Sequence, residues 1–311
     1  MTLTTDSFTD GFYDDSVGTL ESLQKSAIAY LFSDPRLQIV KLNDQEYMDC
    51  QIAYRSQQNE QEMMLEATLQ AIDDKMSSQE DYSILSIGCG SGLFEKPFLE
   101  KLLSLNKTIH FVGIDPNEAE CVKAQEWCDK IRIYHTDKFN FKINTVGFES
   151  FQSRQSFDII LLIHSLYYFS DIKTLFRKIY ELIREGGMVI LGVAKRQLLN
   201  EPFYHATQRL YGNYPWFSDE VKELLTEINL PFRQEKIDFT TNITKCFDKE
   251  SELGKQLLNF IVGANTEFFS PLQLRLLLDY FGTSSQKMEG GEIMLPHSGI
   301  LFYIEKQRVS A

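Results

Sequence analysis

The sequence is poor in cysteine and has no two cysteines spaced as C-x-x-C. The five that it contains are Cys50, Cys89, Cys121, Cys128 and Cys246. Because their number is odd and that spacing is absent, the sequence indicates neither a disulfide framework nor a zinc site. We therefore expect no bound metal and a reducing, cytoplasmic location.

Long apolar runs and an excess of positive charge are also lacking. No stretch approaches the roughly 20 apolar residues of a membrane span, and residues 1–14 lack the apolar segment of a signal peptide. The formal net charge is -13. Proteins that bind nucleic acids usually present a basic face, so we expect neither a nucleic acid nor a membrane as partner. The acidic surface either favours a cationic ligand or is simply that of an acidic protein.

The pattern of apolar residues predicts strands that alternate with helices. Strands are predicted at Ser83–Gly88, Ile109–Ile114, Ile131–His135, Phe157–Ile163, Met188–Val193, Phe232–Phe239 and Gly299–Ile304, with 139–156 as a loop. Helices are predicted over Asn43–Ser77, Leu93–Leu105, Asn117–Asp129, Asp171–Gly186 and Ser218–Asn229, and within 244–283. This alternation is typical of a mainly parallel sheet covered on both faces. Ligands of such sheets bind at the carboxyl ends of the strands.

A glycine-rich turn follows the first predicted strand, with the sequence Gly88-Cys-Gly90-Ser-Gly92. Glycines allow a tight turn and let a ligand approach the backbone closely. The spacing lacks the third glycine of a dinucleotide fingerprint, because Leu93 takes that position. The turn therefore favours a ligand without a pyrophosphate, although a plain strand-to-helix connection has the same composition.

Two acidic residues follow predicted strands. Asp115 comes 23 residues after Gly92, near the offset of an acid that binds ribose hydroxyls. A carboxylate can accept both hydroxyl hydrogens, and the same residue can also cap the following helix. Asp137 follows the third predicted strand, where it either bonds an adenine amino group or is a solvated loop acid.

These elements, in this order, resemble the class I S-adenosylmethionine-dependent methyltransferase family over Tyr82–Val193. The resemblance implies an α/β fold with a Rossmann-like sheet, helices on both faces and an antiparallel last strand. It implies S-adenosylmethionine as cofactor and S-adenosylhomocysteine as product. The residues that it assigns to the cofactor are Gly88, Gly90, Gly92, Asp115, Glu120, Asp137 and Ile163. Many members carry an acid where this chain has Ser86, so other groups must anchor the methionine amino group here.

Further segments resemble the histamine N-methyltransferase family from about Tyr47 to Glu305. They are Ile84–Gly88, Leu166–Tyr168, Asp171-Ile172, Tyr211-Gly212, Cys246-Phe247 and Ile304-Glu305. In that family a tyrosine and a glutamate line the amine pocket, and Tyr47 and Glu60 take their places here. From composition alone, Glu60 would instead be an exposed residue of a glutamine-rich helix.

Two histidines depart from that family. His164 and His297 stand where it has a glutamine and an asparagine, so the substrate need not be histamine. We predict both as catalytic proton acceptors, since imidazole titrates near neutral pH, although a lone histidine is more often structural. The predicted substrate-binding set is Tyr47, Glu60, His164, Tyr168 and His297.

The resemblance implies an S-adenosylmethionine-dependent N-methyltransferase for a small basic amine with an imidazole or guanidine group, in specialised metabolism. Methylation of oxygen or sulfur, and cofactor binding without catalysis, are the alternatives. The N-P-P-Y and D-P-P-Y motifs of nucleic-acid amino methyltransferases are absent. We expect a monomer with a helical lid at 1–80, a cofactor-binding core at 81–196, helical substrate-domain insertions with late core elements at 197–298 and a last core strand at 299–311.

Overall fold

The computed structural model describes residues 15–307, and side chains from residue 22 onward. The polar N-terminal residues 1–14 lie outside the described part. The helices are α1 Asp15–Ser33, α2 Asp44–Arg55, α3 Glu60–Met76, α4 Glu95–Ser104, α5 Glu118–Tyr134, α6 Ile172–Leu182, α7 Glu201–Tyr211, α8 Ser218–Glu227, α9 Glu252–Val262 and α10 Pro271–Thr283. The strands are β1 Asp81–Ile87, β2 Thr108–Asp115, β3 Phe139–Thr145, β4 Phe157–Ile163, β5 Ile183–Ala194, β6 Arg233–Asn242, β7 Gln286–Lys287 and β8 Ile293–Glu305.

One sheet has the strand order β3-β2-β1-β4-β5-β8-β6, with β7 paired to β8. The pairs among β1 to β5 are parallel, and β8 runs antiparallel to β5. The predicted α/β fold class with an antiparallel last strand is thereby confirmed. The order of strands reverses between β1 and β4, and the carboxyl ends there form the crevice where ligands of such sheets bind.

Apolar side chains on the two faces of the sheet pack into separate cores. On one face, Ile84 and Ile159 contact helices α4 and α5 through residues such as Phe98. On the other, Leu85 and Ile160 belong to a cluster with the buried side of α6. Because β1 and β4 are covered on both faces, they are buried almost throughout and are mainly apolar, which made them easy to predict.

The predicted third strand at Ile131–His135 is wrong. These residues complete α5, whose buried side runs at helical spacing to Ile131 while Ile133 and Tyr134 are exposed. The third strand is Phe139–Thr145, within the stretch predicted as a loop. It lies at the edge of the sheet, so only alternate residues face the core and the segment is too polar to stand out.

Smaller differences concern element ends. The long helix predicted over Asn43–Ser77 is two helices, and the break contains Gln58, which forms a β-bridge with Thr241. Helix α6 ends at Leu182 rather than Gly186, and β5 begins directly after it. Helices α5, α6 and α10 are capped by Asn117, Asp171 and Ser270, whose side chains each accept a backbone N–H bond.

The chain divides into two compact units. The first contains residues up to Gln51 with Leu198–Asn213 and Ile243–Leu295, and is mainly helical. Within it, Arg209 donates to the backbone carbonyls of Phe32 and Leu37. The second contains Ile52–Gln197, Tyr214–Asn242 and the residues from Pro296, and so holds most of the sheet. Among the described residues, no helix has the length and apolar character to cross a membrane.

Candidate active site

The glycine turn is required by packing as well as by backbone conformation. Gly88, Gly90 and Gly92 have φ angles of +72°, +50° and +78°, in the left-handed region that favours glycine. A Cβ at Gly88 would lie 2.5 Å from the Cβ of Ser165, and one at Gly92 would lie 2.4 Å from the Trp127 ring. At Gly90 the nearest atom would be Oε2 of Glu120, at 3.6 Å. The middle of the turn is therefore the part open to a ligand.

Asp115 lies beside this open position, at the carboxyl end of β2. Its Oδ2 accepts the N–H of Gly90 at 2.9 Å, and its Oδ1 accepts that of Asn117 at 2.8 Å. Burial raises the pKa of Asp115, the two backbone bonds oppose this, and the Glu120 charge adds to the rise. Each oxygen keeps capacity for a further bond, so ribose hydroxyls can be accommodated. The cap of α5 is Asn117 rather than Asp115.

The prediction that Asp137 contacts adenine is wrong. Asp137 is exposed in the turn before β3, and Phe139, two residues later, pairs with Ile109 near the start of β2. Since β2 and β3 are parallel, Asp137 lies at the amino ends of these strands, whereas Asp115 lies at the carboxyl ends. The carboxyl end of β3 contains Asn144 instead, whose Nδ2 is buried and has no hydrogen-bond partner within residues 15–307. The alternation from Phe139 onward is the signal that could have revealed this strand.

Glu95 occupies the region beneath the glycine turn and was not predicted. It is the first residue of α4 and is 4% exposed. The hydroxyl of Ser86 on β1 donates to Glu95 Oε1 at 2.7 Å. Burial raises the pKa of Glu95 to about 7, the Ser86 bond and the Arg55 charge oppose this, and the Asp115 charge adds to it. A carboxyl group is thus present next to the position where the sequence lacks an acid.

His164 follows β4 and has a φ angle of +54°. This conformation is uncommon for a residue other than glycine and costs energy, which is a frequent feature of functional sites. Its Nδ1 lies 3.1 Å from the hydroxyl of Tyr167, and that hydroxyl accepts the N–H of Ala194 at 2.7 Å. The Tyr167 proton can then point at Nδ1, so a neutral His164 would carry its proton on Nε2.

Glu60 is the first residue of α3, and it is 8% exposed rather than on the surface. Its Oε1 lies 2.8 Å from Nε2 of His164, although the N–H direction misses the geometry of a hydrogen bond. Burial alone would raise the pKa of Glu60, but the charges of His164, His297 and Arg55 outweigh it and hold the pKa below its ordinary value. Glu60 is therefore an ionised carboxylate at neutral pH.

His297 lies on β8, beyond the carboxyl end of the paired strand β5. Its Nε2 is 2.7 Å from the hydroxyl of Thr241, and its ring packs edge-on against Phe239. Burial lowers the pKa of His297 to about 4, although the Glu60 charge opposes the shift. His297 is consequently neutral at physiological pH, and Glu60 is left with His164 as its closest basic partner.

Buried hydroxyl groups complete this set of residues. Tyr54 of α2 bonds the Thr241 side chain, and burial together with the Glu60 charge raises the pKa of Tyr54 well above its ordinary value. We call Tyr54, Glu60, His164, Tyr167, Thr241 and His297 the acceptor cluster. Tyr54 and Thr241 belong to no motif, and sequence reasoning missed them.

The acceptor cluster adjoins the glycine turn. Ser165, the neighbour of His164, donates to the backbone carbonyl of Ile87 at 2.7 Å and lies against Gly88. Gln61, the neighbour of Glu60, donates its side-chain amide to the carbonyl of Leu93 at the other end of the turn. Glu60, His164 and His297 are thus brought together next to the predicted cofactor residues.

The remaining predicted residues lie as follows. Ile163 is the half-buried last residue of β4. Tyr168 is 73% exposed, and its neighbour Tyr167 is the residue that contacts His164. Tyr47 belongs to the first unit, where its ring packs on Phe260, and its substrate role stays a prediction. Within the described residues, no group of three or more His, Cys, Asp or Glu side chains is placed to hold a metal ion.

Comparisons with known proteins agree with this geometry. Residues 85–189 match the family model described as a methyltransferase domain. Malonyl-[acyl-carrier protein] O-methyltransferase 1 of Ilyobacter polytropus is 25% identical over 171 residues, which is 54% of this chain and 53% of that protein. Histamine N-methyltransferase of Bos taurus is 23% identical over 194 residues, 58% of this chain and 66% of that protein. The chain thus spans between about half and two thirds of these relatives.

A solved structure shares the fold. The plantazolicin methyltransferase BamL, in complex with a triazolic desmethylPZN analog and S-adenosylhomocysteine, has a TM-score of 0.50 and 16% identity, covering 94% of this chain and all of that one. Histamine N-methyltransferase is a distant match, and O-methyltransferases match at similar identity. The resemblance to the histamine enzyme therefore does not establish whether the methyl group goes to nitrogen or to oxygen. The coarser prediction is confirmed: residues 85–189 form a methyltransferase domain of the class I, S-adenosylmethionine-dependent type.

Proposed function

We propose that this protein transfers the methyl group of S-adenosylmethionine to a nitrogen of a small basic amine, and that His164 accepts the proton of that nitrogen. The observation that carries the proposal is the pairing of the buried Glu60 with His164, whose neighbour Ser165 lies against Gly88. Bound S-adenosylmethionine supplies an electrophilic methyl group on its sulfonium. The protein must then hold a nucleophile in line and free of its proton.

The residues around the glycine turn fit the cofactor. Asp115 and Glu120 offer carboxylates to the ribose hydroxyls on the open side of Gly90. The buried Nδ2 of Asn144 has no partner in the part of the chain that the structure describes, and it can donate to a ring nitrogen of adenine. An otherwise costly orphan donor would be satisfied by that contact, which is the reason we assign it to the ligand.

The charge of the acceptor cluster favours a cationic substrate. Glu60 is an ionised carboxylate, and His297 is neutral at physiological pH. The Glu60 carboxylate is the negative group of the cluster, and it attracts an ammonium or an imidazolium group. His164 takes the proton at Nδ1, by way of the Tyr167 hydroxyl that bonds this atom, and Glu60 beside Nε2 stabilises the resulting imidazolium. The same pair therefore serves binding and deprotonation.

A second candidate is methylation of a hydroxyl group. Because Glu60 is already paired with His164, the arrangement also resembles a histidine base oriented by a carboxylate, which suits activation of an O–H nucleophile. The relatives with O-methyltransferase activity lend this reading support. A hydroxyl substrate would need no cationic group.

A paired substrate panel tests both candidates. Each basic amine is offered with S-adenosylmethionine beside the matched alcohol in which a hydroxyl replaces the amino group, and methylated products are measured by mass spectrometry. We expect methylation of amines only, and its loss in His164→Gln. His110→Gln, at an exposed position of β2, is the matched control. Methylation of the alcohols alone would favour the second candidate. Cofactor binding without any methylated product would indicate a binding protein without catalytic activity.

A further inference from the structure

The end of β1 lacks an acid, yet a carboxyl group lies within hydrogen-bond distance of that position. Ser86 donates to Glu95 at 2.7 Å, and both side chains are buried. Glu95 is placed there by the turn, since α4 begins three residues after Gly92 and directs its first side chain back beneath the turn. The carboxyl group thus comes from a residue nine positions later in the sequence, yet it lies next to the position that an acid at residue 86 would occupy.

Among the described residues, no basic side chain forms an ion pair or hydrogen bond with Glu95. Its hydrogen bonds come from the Ser86 hydroxyl and from its own backbone N–H, and Arg55 acts on it only through its charge. A buried carboxylate supported by neutral donors alone is costly. An ammonium group brought to this position would form a charge-assisted bond and remove much of that cost.

We propose that Glu95, oriented by Ser86, binds the ammonium group of the methionyl part of S-adenosylmethionine. The inference rests on the proposed function, because it requires the cofactor to bind at the glycine turn. It goes further in naming the carboxylate that replaces the missing acid at Ser86. Ser86 is a positioning residue in this arrangement, and Glu95 is the residue that touches the ligand.

The ionisation of Glu95 links cofactor affinity to pH. The pKa of Glu95 is raised to about 7 by burial, with Asp115 on β2 adding to the rise, and with Ser86 on β1 and Arg55 on α2 opposing it. Cys89 of the turn is close enough for its own pKa to be raised in part by the Glu95 charge. An ammonium binds only the carboxylate form well, so affinity should increase as pH rises through about 7.

A purely structural role is the competing explanation. Glu95 is the first residue of α4, where a negative charge stabilises the helix N-terminus. In that case its replacement would lower stability and weaken every ligand of the site to the same extent. Recognition of an ammonium group instead predicts a loss that depends on whether the ligand carries that group.

The test compares two ligands by titration calorimetry. S-adenosylhomocysteine carries the amino-acid part, whereas 5′-methylthioadenosine lacks it. In Glu95→Gln we expect affinity for S-adenosylhomocysteine to fall roughly ten- to a hundredfold, the worth of a bond to a charged group, with affinity for methylthioadenosine nearly unchanged. Glu100→Gln, an exposed residue of the same helix, is the matched control. Thermal unfolding of each variant reports on folding.

Two further measurements keep the inference falsifiable. Wild-type affinity for S-adenosylhomocysteine should rise between about pH 6 and about pH 8, and that for methylthioadenosine should stay flat. Moving the acid, with Ser86→Asp added to Glu95→Gln, should restore part of the lost affinity. Equal loss of both ligands, or no loss of either, overturns the role of Glu95 and leaves the proposed function standing. A wild-type protein that binds neither ligand overturns both.

Discussion

Oε1 of Glu60 lies 2.8 Å from Nε2 of His164, and the two residues come from the start of α3 and the end of β4. Glu60 is buried and His164 is half-buried, and the pKa of Glu60 lies below its ordinary value. Removing one member leaves the other without its partner in a poorly solvated site. The first prediction follows from this dependence.

Glu60→Gln should lower kcat/KM for the amine on the order of a hundredfold, because the imidazolium that forms on His164 loses its counter-charge. Both a higher KM and a lower kcat are expected, since the carboxylate serves binding and proton transfer. Cofactor affinity should be nearly unchanged. Steady-state kinetics and calorimetry check this, with the exposed Glu62→Gln on the same helix as control. An unchanged kcat/KM would remove Glu60 from the site.

His297 should make the folded protein sensitive to mild acid. Its pKa is about 4 in the fold against an ordinary value of 6.5. Between these values the unfolded chain binds a proton that the folded chain does not, so the free energy of unfolding falls as pH falls. The loss from this residue approaches about 3 kcal/mol by the lower end of the window.

Urea unfolding of wild type and His297→Asn, measured across that window, isolates the effect. The variant should lose less stability on acidification than wild type. Glu60 also contributes stability that is lost on acidification, but only as pH falls below its ordinary pKa of 4.5. Glu95, whose pKa is raised to about 7, changes stability in the opposite direction over the same range, but it is present in both proteins. The difference between the two curves, rather than either curve alone, therefore reports on His297. Parallel curves for the two proteins would contradict this account.

Two glycines of the turn should respond differently to substitution. Gly90→Arg fills the side open to the ligand, so it should abolish cofactor binding with a small change in Tm. Gly92→Ala places a Cβ 2.4 Å from the Trp127 ring, so it should lower Tm clearly, beyond the cost of a left-handed alanine of about 1 kcal/mol. Calorimetry and thermal unfolding of both variants decide. Equal effects on Tm would show that the open side of Gly90 had been misread.

Asp115 and Asp137 allow a controlled comparison, because one aspartate lies at the carboxyl end of β2 and the other just before the amino end of β3. Asp115→Ala should weaken binding of S-adenosylhomocysteine by about 1.5–3 kcal/mol, the worth of bonds to a charged group, because two ribose hydroxyls lose their acceptor. Asp137→Ala should leave the affinity unchanged. If the variant at 137 weakens binding as much as the one at 115, the assignment of β3 to Phe139–Thr145 is contradicted.

The parts of the fold that the sequence predicted are those whose local signal is strong. Strands β1 and β4 are short, mainly apolar segments between turns and are buried almost throughout, and α6 has a sharply one-sided apolar face. Strand β3 has one partner and a half-polar pattern, so it was indistinguishable from a loop. The error then carried Asp137 into the predicted site, since its role depended on where the strand ended.

The site was predictable where residues directly follow strands. Asp115 and His164 were found in this way, and Glu60 through a family resemblance. Glu95, Tyr54 and Thr241 were missed because only tertiary structure brings them to the strand ends. No spacing in the chain indicates that a serine and a glutamate from the next helix will share one hydrogen bond.

The left-handed backbone at His164 limits how this position can evolve. Asparagine, aspartate, histidine and glycine tolerate this conformation, whereas valine, isoleucine and threonine clash with their own backbone there. We therefore expect substitution of His164 by a β-branched residue to strain the connection after β4, whatever its effect on chemistry. A change of side chain at this position costs least backbone energy when it is an exchange within the tolerant set.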